Sequence, residues 1–412
     1  MSTSMDQNVR DIVAHAYTNA PAFRQRMDDA GLTPNDVQSV ADLTKVPILP
    51  KDDVIALQQS NPPFGGMLAV PMTEIRHIFM SPGPIYEPDG SSDSDMASTM
   101  QHALGMIGFT NEDVVINALS YHLVPAGLGV DNALTAVGCT VIPTGFGNSE
   151  LQVKLMLDLG ATGYVGTPSF LMGLLKKAEE MGIDPKSQLK INKALVSAEP
   201  LPASLRATLV DEYGITVGNA YATAELGALA LNMDGTMAMQ LMPEPVIQVV
   251  DPETGELVGA GETGEVVVTN TNHAYPLIRF GTGDMAVNVD PNPGNSKQEE
   301  RAIMLVGRSG EAKKVRGMFV HPNQLRFSIG QVTAGIGGMA KVQGIVSRPA
   351  DRDVFTVRIA LNDASADPAS LEEAIHAAIR QACRVRANEL VFVSADEIAD
   401  DAPGMVDERG WN

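Results

Sequence analysis

Between residues 96 and 220 the chain alternates helical and strand-like segments. Apolar residues recur at helical spacing in five segments, at 96–109, 130–137, 149–159, 170–181 and 202–212. Short apolar runs accompany them, at 113–120, 139–143, 163–166, 193–197 and 215–220. Strands separated by helices of this length form parallel βαβ units, so the pattern predicts a buried parallel sheet.

The flanking regions follow other patterns. Residues 6–30 predict one helix, and loops are predicted around the prolines at 47, 50, 62 and 63. A smaller β subdomain is predicted from the β-rich runs at 246–250, 265–269 and 303–306. A compact α+β unit is predicted from strands at 342–346, 354–361 and 390–393 and a helix at 370–383. The expected fold class is α/β, with a large N-terminal domain that contains the parallel sheet and the β subdomain, and a small α+β C-terminal domain.

Composition and charge restrict the class of protein. The 412 residues are 44% hydrophobic and 19% charged, which indicates a globular protein with two domains, or with one large and one small domain. The net charge of -21 argues against nucleic acid and anionic membrane as main partners. Only Cys139 and Cys383 are present, so we expect neither a disulfide framework nor a cysteine-based metal site.

The sequence was also searched for membrane-spanning segments and for a signal peptide. No apolar run approaches the ~20 residues that span a bilayer, and residues 1–10 lack the apolar core of a signal peptide. We therefore expect a cytoplasmic protein with no membrane partner. The oligomeric state stays open, with a homodimer among the alternatives.

The segment from Tyr221 to Glu225 reads Tyr-Ala-Thr-Ala-Glu and follows a strand-like run. It is expected at the carboxyl end of a parallel sheet, where open α/β sheets bind ligands. A carboxylate at that position can hold Mg²⁺ against phosphate oxygens. The alternative is a helix cap, since Thr223 precedes a stretch with helical character.

Two later motifs also carry groups suited to a nucleotide. In Gly281-Thr282-Gly283-Asp284 the glycines allow close backbone approach, and Asp284 can accept hydrogen bonds from two ribose hydroxyls. The alternative is an ordinary Gly-Asp turn. In Gly307-Arg308-Ser309-Gly310, Arg308 suits a ribose or a phosphate and Gly310 suits a hinge, unless the segment is only a basic β-turn.

The order of the motifs is more specific than any one of them. Ser197-Ala198-Glu199-Pro200 comes first, the segment 221–225 second, and Tyr-Pro-Leu-Ile-Arg-Phe-Gly-Thr-Gly-Asp at 275–284 third. In this order the chain resembles the phenylacetate–CoA ligase branch of the adenylate-forming enzymes over nearly its full length. The resemblance implies an adenylate-forming domain at 1–309 and a mobile C-terminal domain at 310–412. It also implies that an acid and ATP form acyl-AMP, from which coenzyme A displaces AMP.

The resemblance assigns roles to individual residues. Asp284 and Arg308 would bind ribose, Glu225 would hold Mg²⁺, and the adenine would lie against Ser197, Ala198, Glu199, Pro200 and Tyr221. The segment 121–127 lies where the family has its acyl pocket. There His122 is the candidate to contact the acyl carboxylate or thioester, although a lone histidine is more often structural. The expected substrate is a small carboxylic acid, aromatic or short and branched.

Two places depart from the family pattern. Family members carry a Ser/Thr/Gly-rich phosphate loop with a lysine near residue 80, whereas residues 81–88 here read Ser-Pro-Gly-Pro-Ile-Tyr-Glu-Pro. Its prolines lack N–H donors, and Glu87 reverses the expected charge. Glu87 either points into the site and repels ATP, or is simply solvated.

The second departure is at the C-terminus, where the family has a late catalytic lysine. No lysine follows Lys341, and Arg409 is the candidate catalytic cation there, although arginine and lysine differ in geometry and hydration. The leading interpretation is an acid–CoA ligase. The alternative is a relative that does not adenylate, and that binds AMP or acyl-CoA as a sensor or handles thioesters without ATP.

Overall fold

The computed structural model describes residues 4–81, 84–90, 95–252, 254–308, 313–316, 318–320, 322–349, 352–362, 368–383 and 385–409. The chain divides into two compact units, Met1–Ser309 and Gly310–Asn412. The assignment of an adenylate-forming domain to 1–309 and of a C-terminal domain to 310–412 stays a prediction. The mobility of the second unit stays a prediction.

The larger unit contains helices before, within and beside its sheet. They are α1 (Met5–Asn19), α2 (Pro21–Asp29), α3 (Lys51–Ser60), α4 (Asp95–Ile107), α5 (Pro125–Val137), α6 (Ser149–Leu159), α7 (Pro168–Glu180), α8 (Pro185–Gln188) and α9 (Ala203–Ala207). Its strands are β1 (Leu49–Pro50), β2 (His77–Ser81), β3 (Ile85–Asp89), β4 (Val114–Asn117), β5 (Thr140–Ile142), β6 (Gly163–Gly166), β7 (Lys193–Val196), β8 (Thr216–Thr223), β9 (Gly227–Asn232), β10 (Met239–Leu241), β11 (Val246–Val250), β12 (Thr263–Thr269), β13 (Phe280–Val289) and β14 (Ala302–Arg308).

One mixed sheet organises this unit. Over the described residues its strand order is β11-β12-β13-β14-β10-β9-β8-β7-β6-β4-β5, and β1 pairs with β13. At one end of this order the strands β8, β7, β6, β4 and β5 are parallel to one another. From β8 to the other end at β11, each strand is antiparallel to its neighbour in the order. The β-rich region expected as a smaller β subdomain of the N-terminal domain forms the antiparallel half of this sheet.

Helices cover both faces of the parallel half, because its strand residues are apolar on both sides. Val115, Val165 and Leu195 pack with α4 and α5. Their chain neighbours Ile116 and Tyr164 pack with α6 and α7 on the opposite face. This alternation is the two-residue period of a strand, and it gives the doubly covered sheet that the sequence predicts.

The N-terminal region differs from the expectation in two ways. The expected single helix at 6–30 is two helices, because Ala20 is extended before Pro21, whose ring occupies the first position of α2. The proline-rich region expected as loop contains α3. Pro50 precedes that helix, and Asp52 and Asp53 in its first turn favour the helix dipole.

A buried arginine fastens this N-terminal region to the sheet. The Arg279 side chain is 1% exposed, and its Nη1 donates to the carbonyls of Thr44 (2.9 Å) and Val46 (2.7 Å). Its Nη2 donates to the carbonyl of Gly255. The Leu49 N–H in turn donates to the Arg279 carbonyl at 2.8 Å, and β1 pairs in parallel with β13. These bonds fix where α3 begins.

The smaller unit has its own sheet and core. Its elements are β15 (Lys313–Val315), β16 (Met318–Val320), α10 (Pro322–Thr333), β17 (Met339–Ser347), β18 (Val354–Leu361), α11 (Ala369–Cys383), β19 (Glu389–Phe392) and β20 (Met405–Asp407). Among the described residues the sheet order is β19-β18-β17-β20, and β15 pairs with β16. A buried core that includes Phe355, Ile375 and Ile379 joins the sheet to the helices, as expected for an α+β unit.

We expect Arg279→Met to lower the free energy of unfolding by about 2–4 kcal/mol, because three backbone carbonyls lose a charged donor. Urea unfolding followed by circular dichroism measures this. Arg24→Met is the matched control, since exposed Arg24 also donates to two backbone carbonyls, those of Tyr17 and Thr18. Equal, small losses in both variants would contradict the fastening role.

Candidate functional site

Two residues that are predicted to bind a nucleotide contact each other although their strands are not neighbours in the sheet. Tyr221 lies near the end of β8 and Asp284 lies on β13, with β9, β10 and β14 between the two strands in the sheet order. The Tyr221 hydroxyl nevertheless donates to Oδ2 of Asp284 at 2.7 Å. The curvature of the sheet thus brings together two motifs that lie 63 residues apart in sequence.

The third predicted residue of this group lies on the neighbouring strand. Arg308 of β14 is the register partner of Asp284 on β13. The strand pairing therefore places the two expected ribose-binding residues side by side. The Arg308 side chain, Ser309 and Gly310 lie outside the described part of the chain.

The segment expected to line adenine connects two strands and the start of a helix. It follows β7, and the Ser197 hydroxyl donates to the Ala220 carbonyl on β8 at 2.9 Å. The Glu199 carboxylate accepts the N–H of Ser169 at the start of α7 at 2.7 Å. Ala198 has φ of +72°, a conformation that costs a non-glycine residue about 1–2 kcal/mol. Pro200 follows in the loop before α9. Contacts of these residues with adenine stay a prediction.

Glu225, the predicted magnesium ligand, lies in the turn between β8 and β9. Thr223 ends β8 and no helix follows it, so the helix-cap interpretation is wrong. The Glu225 side chain is 4% exposed, and its Oε1 lies 2.5 Å from Nζ of Lys51. Burial alone would raise the pKa of Glu225, but the Lys51 ammonium lowers it below its usual value. The carboxyl is therefore ionised and paired.

Lys51 is a residue that the sequence analysis missed. It is the first residue of α3, and the pairing of β1 with β13 determines its position. Its side chain is 22% exposed, so the ammonium is partly desolvated beside Glu225. The available signal was a lysine directly after Pro50 at a helix start, but nothing in the sequence pairs it with the distant Glu225.

Glu87 belongs to the same cluster. It lies on β3 and is 8% exposed, so of the two alternatives for Glu87, the one in which it is simply solvated is wrong. Burial and the negative charge of Glu225 raise the pKa of Glu87 to about 8, while the Ser81 hydroxyl and Lys51 act in the opposite direction. At neutral pH its carboxyl group is therefore mainly protonated.

The region expected as a phosphate loop is a β-hairpin in the residues that the structure describes. β2 pairs with β3 in antiparallel register, and Pro82 and Gly83, which separate the two strands in sequence, lie outside those residues. The Gln58 side chain of α3 donates to the Tyr86 carbonyl (2.7 Å) and accepts the Tyr86 N–H (2.8 Å). Its amide also donates to the hydroxyl of Tyr275 in the third motif at 2.9 Å. Gln58 thus holds the hairpin, α3 and the third motif together.

The donor set of this cluster suits a hard cation. The Glu225 carboxylate and the Thr223 hydroxyl, which lowers the pKa of Glu225, offer only oxygen ligands. Nowhere in the described ranges do three or more His, Cys, Asp or Glu side chains group to hold a metal by themselves. The residues therefore fit Mg²⁺ that is shared with substrate phosphates, which is its usual mode of binding, rather than a site built only from protein.

The segment expected at the acyl pocket lies after β4 and contacts the hairpin. The Met80 N–H on β2 donates to the Leu123 carbonyl at 2.7 Å. The Tyr121 hydroxyl donates to Asp131 at 2.7 Å, which anchors the segment to α5. His122 is exposed and its N–H donates to the Ser120 hydroxyl at 3.2 Å. Its contact with an acyl group stays a prediction.

Arg409, the predicted C-terminal catalytic cation, is held in an ion-pair network of the smaller unit. It is 5% exposed and donates through Nε and Nη2 to Asp407, at 2.8 and 2.6 Å. Its Nη1 donates to Asp353 at 3.1 Å, and Arg348 donates to the same carboxylate at 2.7 Å. This network gives Arg409 a structural role in its own unit, and its catalytic role stays a prediction.

Similarity to known proteins shows to which family the chain belongs. Residues 93–274 match the family described as AMP-binding enzyme. The phenylacetate-coenzyme A ligase of Pseudomonas putida is 30% identical over 332 residues, which are 77% of this chain and 73% of the relative. That of Aromatoleum evansii is 31% identical over 326 residues, 76% of this chain and 71% of the relative.

The chain belongs to the phenylacetate–CoA ligase family. This confirms the resemblance drawn from the three ordered motifs. The fold agrees with the crystal structure of a 2-hydroxyisobutyryl-CoA ligase in complex with 2-HIB-AMP and CoA in the thioesterification state, with a TM-score of 0.87 at 22% identity over 98% of this chain and 89% of that one. The expected fold class is thereby confirmed.

Membership in the phenylacetate–CoA ligase family leaves the roles of single residues as predictions. The structure brings Tyr221, Asp284 and the backbone of Arg308 together, and it groups Glu225 with Glu87. Within the part of the chain that the structure describes, no helix is both long and apolar enough to cross a membrane.

The raised pKa of Glu87 predicts a pH dependence of stability. Because its pKa is about 8 in the folded chain and roughly 4.3 in an unfolded one, the folded state binds more protons between these values. Its contribution to stability is therefore lost as the pH rises from about 4 to about 8. Glu87→Gln removes this loss, so the variant should gain at least about 1.4 kcal/mol relative to the unmodified protein between about pH 5 and pH 8.

Urea unfolding at both pH values measures this gain. Glu74→Gln is the control, because Glu74 is exposed just before the same hairpin. If both variants follow the pH dependence of the unmodified protein, Glu87 is not a buried, protonated group.

Proposed function

We propose that the protein is an acid–CoA ligase, which activates a small carboxylic acid with ATP to an acyl adenylate and then transfers the acyl group to coenzyme A. The hydrogen bond between Tyr221 and Asp284 carries this proposal, because it joins two motifs of the expected nucleotide site. The register of Arg308 beside Asp284 supports it. Membership in the phenylacetate–CoA ligase family supports the reaction type.

The nucleotide would lie at the carboxyl end of the parallel strands. Tyr221 fixes the Asp284 carboxylate by a charge-assisted hydrogen bond, so that the carboxylate is oriented before a nucleotide arrives. The tyrosine ring then flanks the base while Asp284 accepts hydrogen bonds from ribose hydroxyls. The loop from Ser197 to Pro200, tied to β8 and to α7, would line the other side of the adenine.

The phosphates would lie toward the cluster of Lys51, Glu225 and Glu87. Glu225 and the Thr223 hydroxyl would hold Mg²⁺, which neutralises charge on phosphate oxygens when bound. Lys51 offsets the charge of Glu225 and supplies the cation that the hairpin lacks. With Mg²⁺ and Lys51 near the phosphates, the local charge would favour an anion although the net charge of the chain is -21.

We propose an acid that is aromatic or short and branched. The phenylacetate-coenzyme A ligases among the relatives are named for an aromatic acid, and the 2-hydroxyisobutyryl-CoA ligase is named for a short, branched one. The segment 121–127 lies beside β2 and is our candidate acyl pocket, with His122 contacting the carboxylate or thioester. Location in the cytoplasm stays a prediction, and the oligomeric state stays open, with a homodimer among the alternatives.

The test is turnover of the full-length protein with ATP, Mg²⁺ and coenzyme A, over phenylacetate, benzoate, isobutyrate and 2-hydroxyisobutyrate. We expect AMP and an acyl-CoA from at least one acid. Asp284→Ala should weaken AMP binding at least tenfold, since a charge-assisted bond contributes about 1.5–3 kcal/mol. Asp290→Ala is the control, because Asp290 accepts hydrogen bonds from Asn292 and Ser296 in a turn just after β13. Unchanged AMP binding in a folded Asp284→Ala protein removes Asp284 from the site.

A specific observation favours a second candidate, a relative that binds AMP or acyl-CoA without adenylation. Glu87 is buried beside Glu225, in the hairpin where the family binds the β- and γ-phosphates. The predicted ribose and adenine residues are retained, whereas the loop lysine is absent. We infer that AMP binds more tightly relative to ATP than in ligases with the lysine.

Exchange of Glu87 distinguishes the two candidates. Glu87→Lys places a cation beside Glu225 and should strengthen ATP binding about tenfold, or about 1.4 kcal/mol, with AMP nearly unchanged. Calorimetry with each nucleotide and Mg²⁺ measures this, with Glu74→Lys as the matched charge change on the exposed side. If Glu87→Lys does not strengthen ATP binding, the charge at residue 87 does not control the affinity for ATP. Inactivity of both the unmodified protein and Glu87→Lys with all the acids would favour the non-adenylating relative.

A further inference from the structure

The Gly-Thr-Gly-Asp segment is a bulge in the sheet rather than an ordinary turn. Opposite β12, the register pairs Val267 with Gly281 but Glu265 with Met285. One residue of β12 therefore faces three residues of β13, Thr282 to Asp284. Bulges of this kind interrupt the ladder and re-aim side chains, and they are frequent next to active sites.

Side chains replace the ladder hydrogen bonds that the bulge interrupts. The Thr282 hydroxyl donates to the Val266 carbonyl at 2.8 Å and accepts the Asp284 N–H at 3.1 Å. The Glu265 carboxylate accepts the Gly283 N–H at 2.9 Å. Backbone donors inside a protein need such acceptors, so Thr282 and Glu265 determine the shape of the bulge.

The glycines of the segment fit this arrangement. Gly283 has φ of +73°, which favours glycine. A Cβ at Gly281 would lie 2.8 Å from Oε1 of Glu265, so glycine at this position lets the carboxylate keep its present place. The carboxylate thus packs against the bulge that carries Asp284.

We propose that Glu265 is a positioning residue of the nucleotide site: by accepting the Gly283 N–H, its carboxylate holds the bulge that presents Asp284 to Tyr221 and to the ribose. This inference rests on the proposed function, because it takes the ligand of Asp284 to be a nucleotide. This role requires no contact between Glu265 and the nucleotide. Its effect reaches the ribose through the backbone of Gly283 and Asp284.

The test measures AMP binding by calorimetry with the full-length protein. Glu265→Leu removes the acceptor and should weaken AMP binding about tenfold, whereas Glu265→Gln keeps an oxygen acceptor and should stay within about threefold of the unmodified protein. Glu262→Leu is the matched control. The Glu262 carboxylate also accepts a glycine N–H, that of Gly259 at 2.7 Å, but in an exposed turn away from Asp284. It should leave AMP binding unchanged.

A second variant approaches the same contact from the other side. Gly281→Ala brings a Cβ against the Glu265 carboxylate, whose flexible end can move while the backbone stays folded. It should weaken AMP binding as well, and it should add little in the Glu265→Leu background, because both changes remove one contact. If the protein turns over, both variants should raise the KM for nucleotide more than they lower kcat.

The outcomes separate this inference from the proposed function. If the unmodified protein binds AMP and both Glu265→Leu and Gly281→Ala bind it equally well, the positioning role is wrong and the nucleotide site stands. If Glu265→Leu lowers the melting temperature without changing the Kd for AMP, Glu265 is only structural and the inference is also wrong. If the unmodified protein binds no AMP, the proposed function fails, and the inference fails with it.

Discussion

The buried guanidinium of Arg279 determines the position of the residues around the expected phosphate region. It donates to carbonyls of two separate segments, at Thr44 and Val46 and at Gly255. Because a buried charge is costly unless it is hydrogen-bonded, displacement of either segment would remove part of the acceptors of the guanidinium. Since α3 begins directly after β1, the same bonds place Lys51 against Glu225. An arginine within the third motif therefore stabilises the site through the fold.

The electrostatics of the site follow from this placement. The chain is strongly acidic, and it lacks the lysine that the family uses in its phosphate loop. Lys51 supplies a cation from another part of the chain, and the pKa of Glu87 near 8 leaves this carboxyl mainly neutral at physiological pH. The charge reversal expected at Glu87 is thus weaker than a count of charges indicates. A neutral carboxyl group can also donate a hydrogen bond, which an ionised one cannot.

The limits of prediction from the sequence follow the range of the interactions. The parallel half of the sheet was predictable, because strand and helix periodicities are local properties. The meeting of Tyr221 with Asp284 was expected only through the order of the motifs. The Lys51–Glu225 pair was not, because it depends on the register of β1 against β13 and on Arg279. For the same reason the sequence left two alternatives for Glu87, since the burial of a strand residue depends on what packs over it.

The motif around Asp284 shows how a short sequence can encode geometry rather than contact. Hydrogen bonds of the Thr282 hydroxyl and of the distant Glu265 carboxylate replace the ladder bonds between β12 and β13. The two glycines of the motif allow the backbone to take this shape. In a regular strand the side chains alternate between the two faces of the sheet, and this alternation would fix the direction of the Asp284 side chain. The bulge removes that constraint, and Asp284 meets a tyrosine from a strand that is not its neighbour in the sheet. Gly281 therefore makes room for the Glu265 carboxylate, and Gly283 provides the positive φ of the bulge.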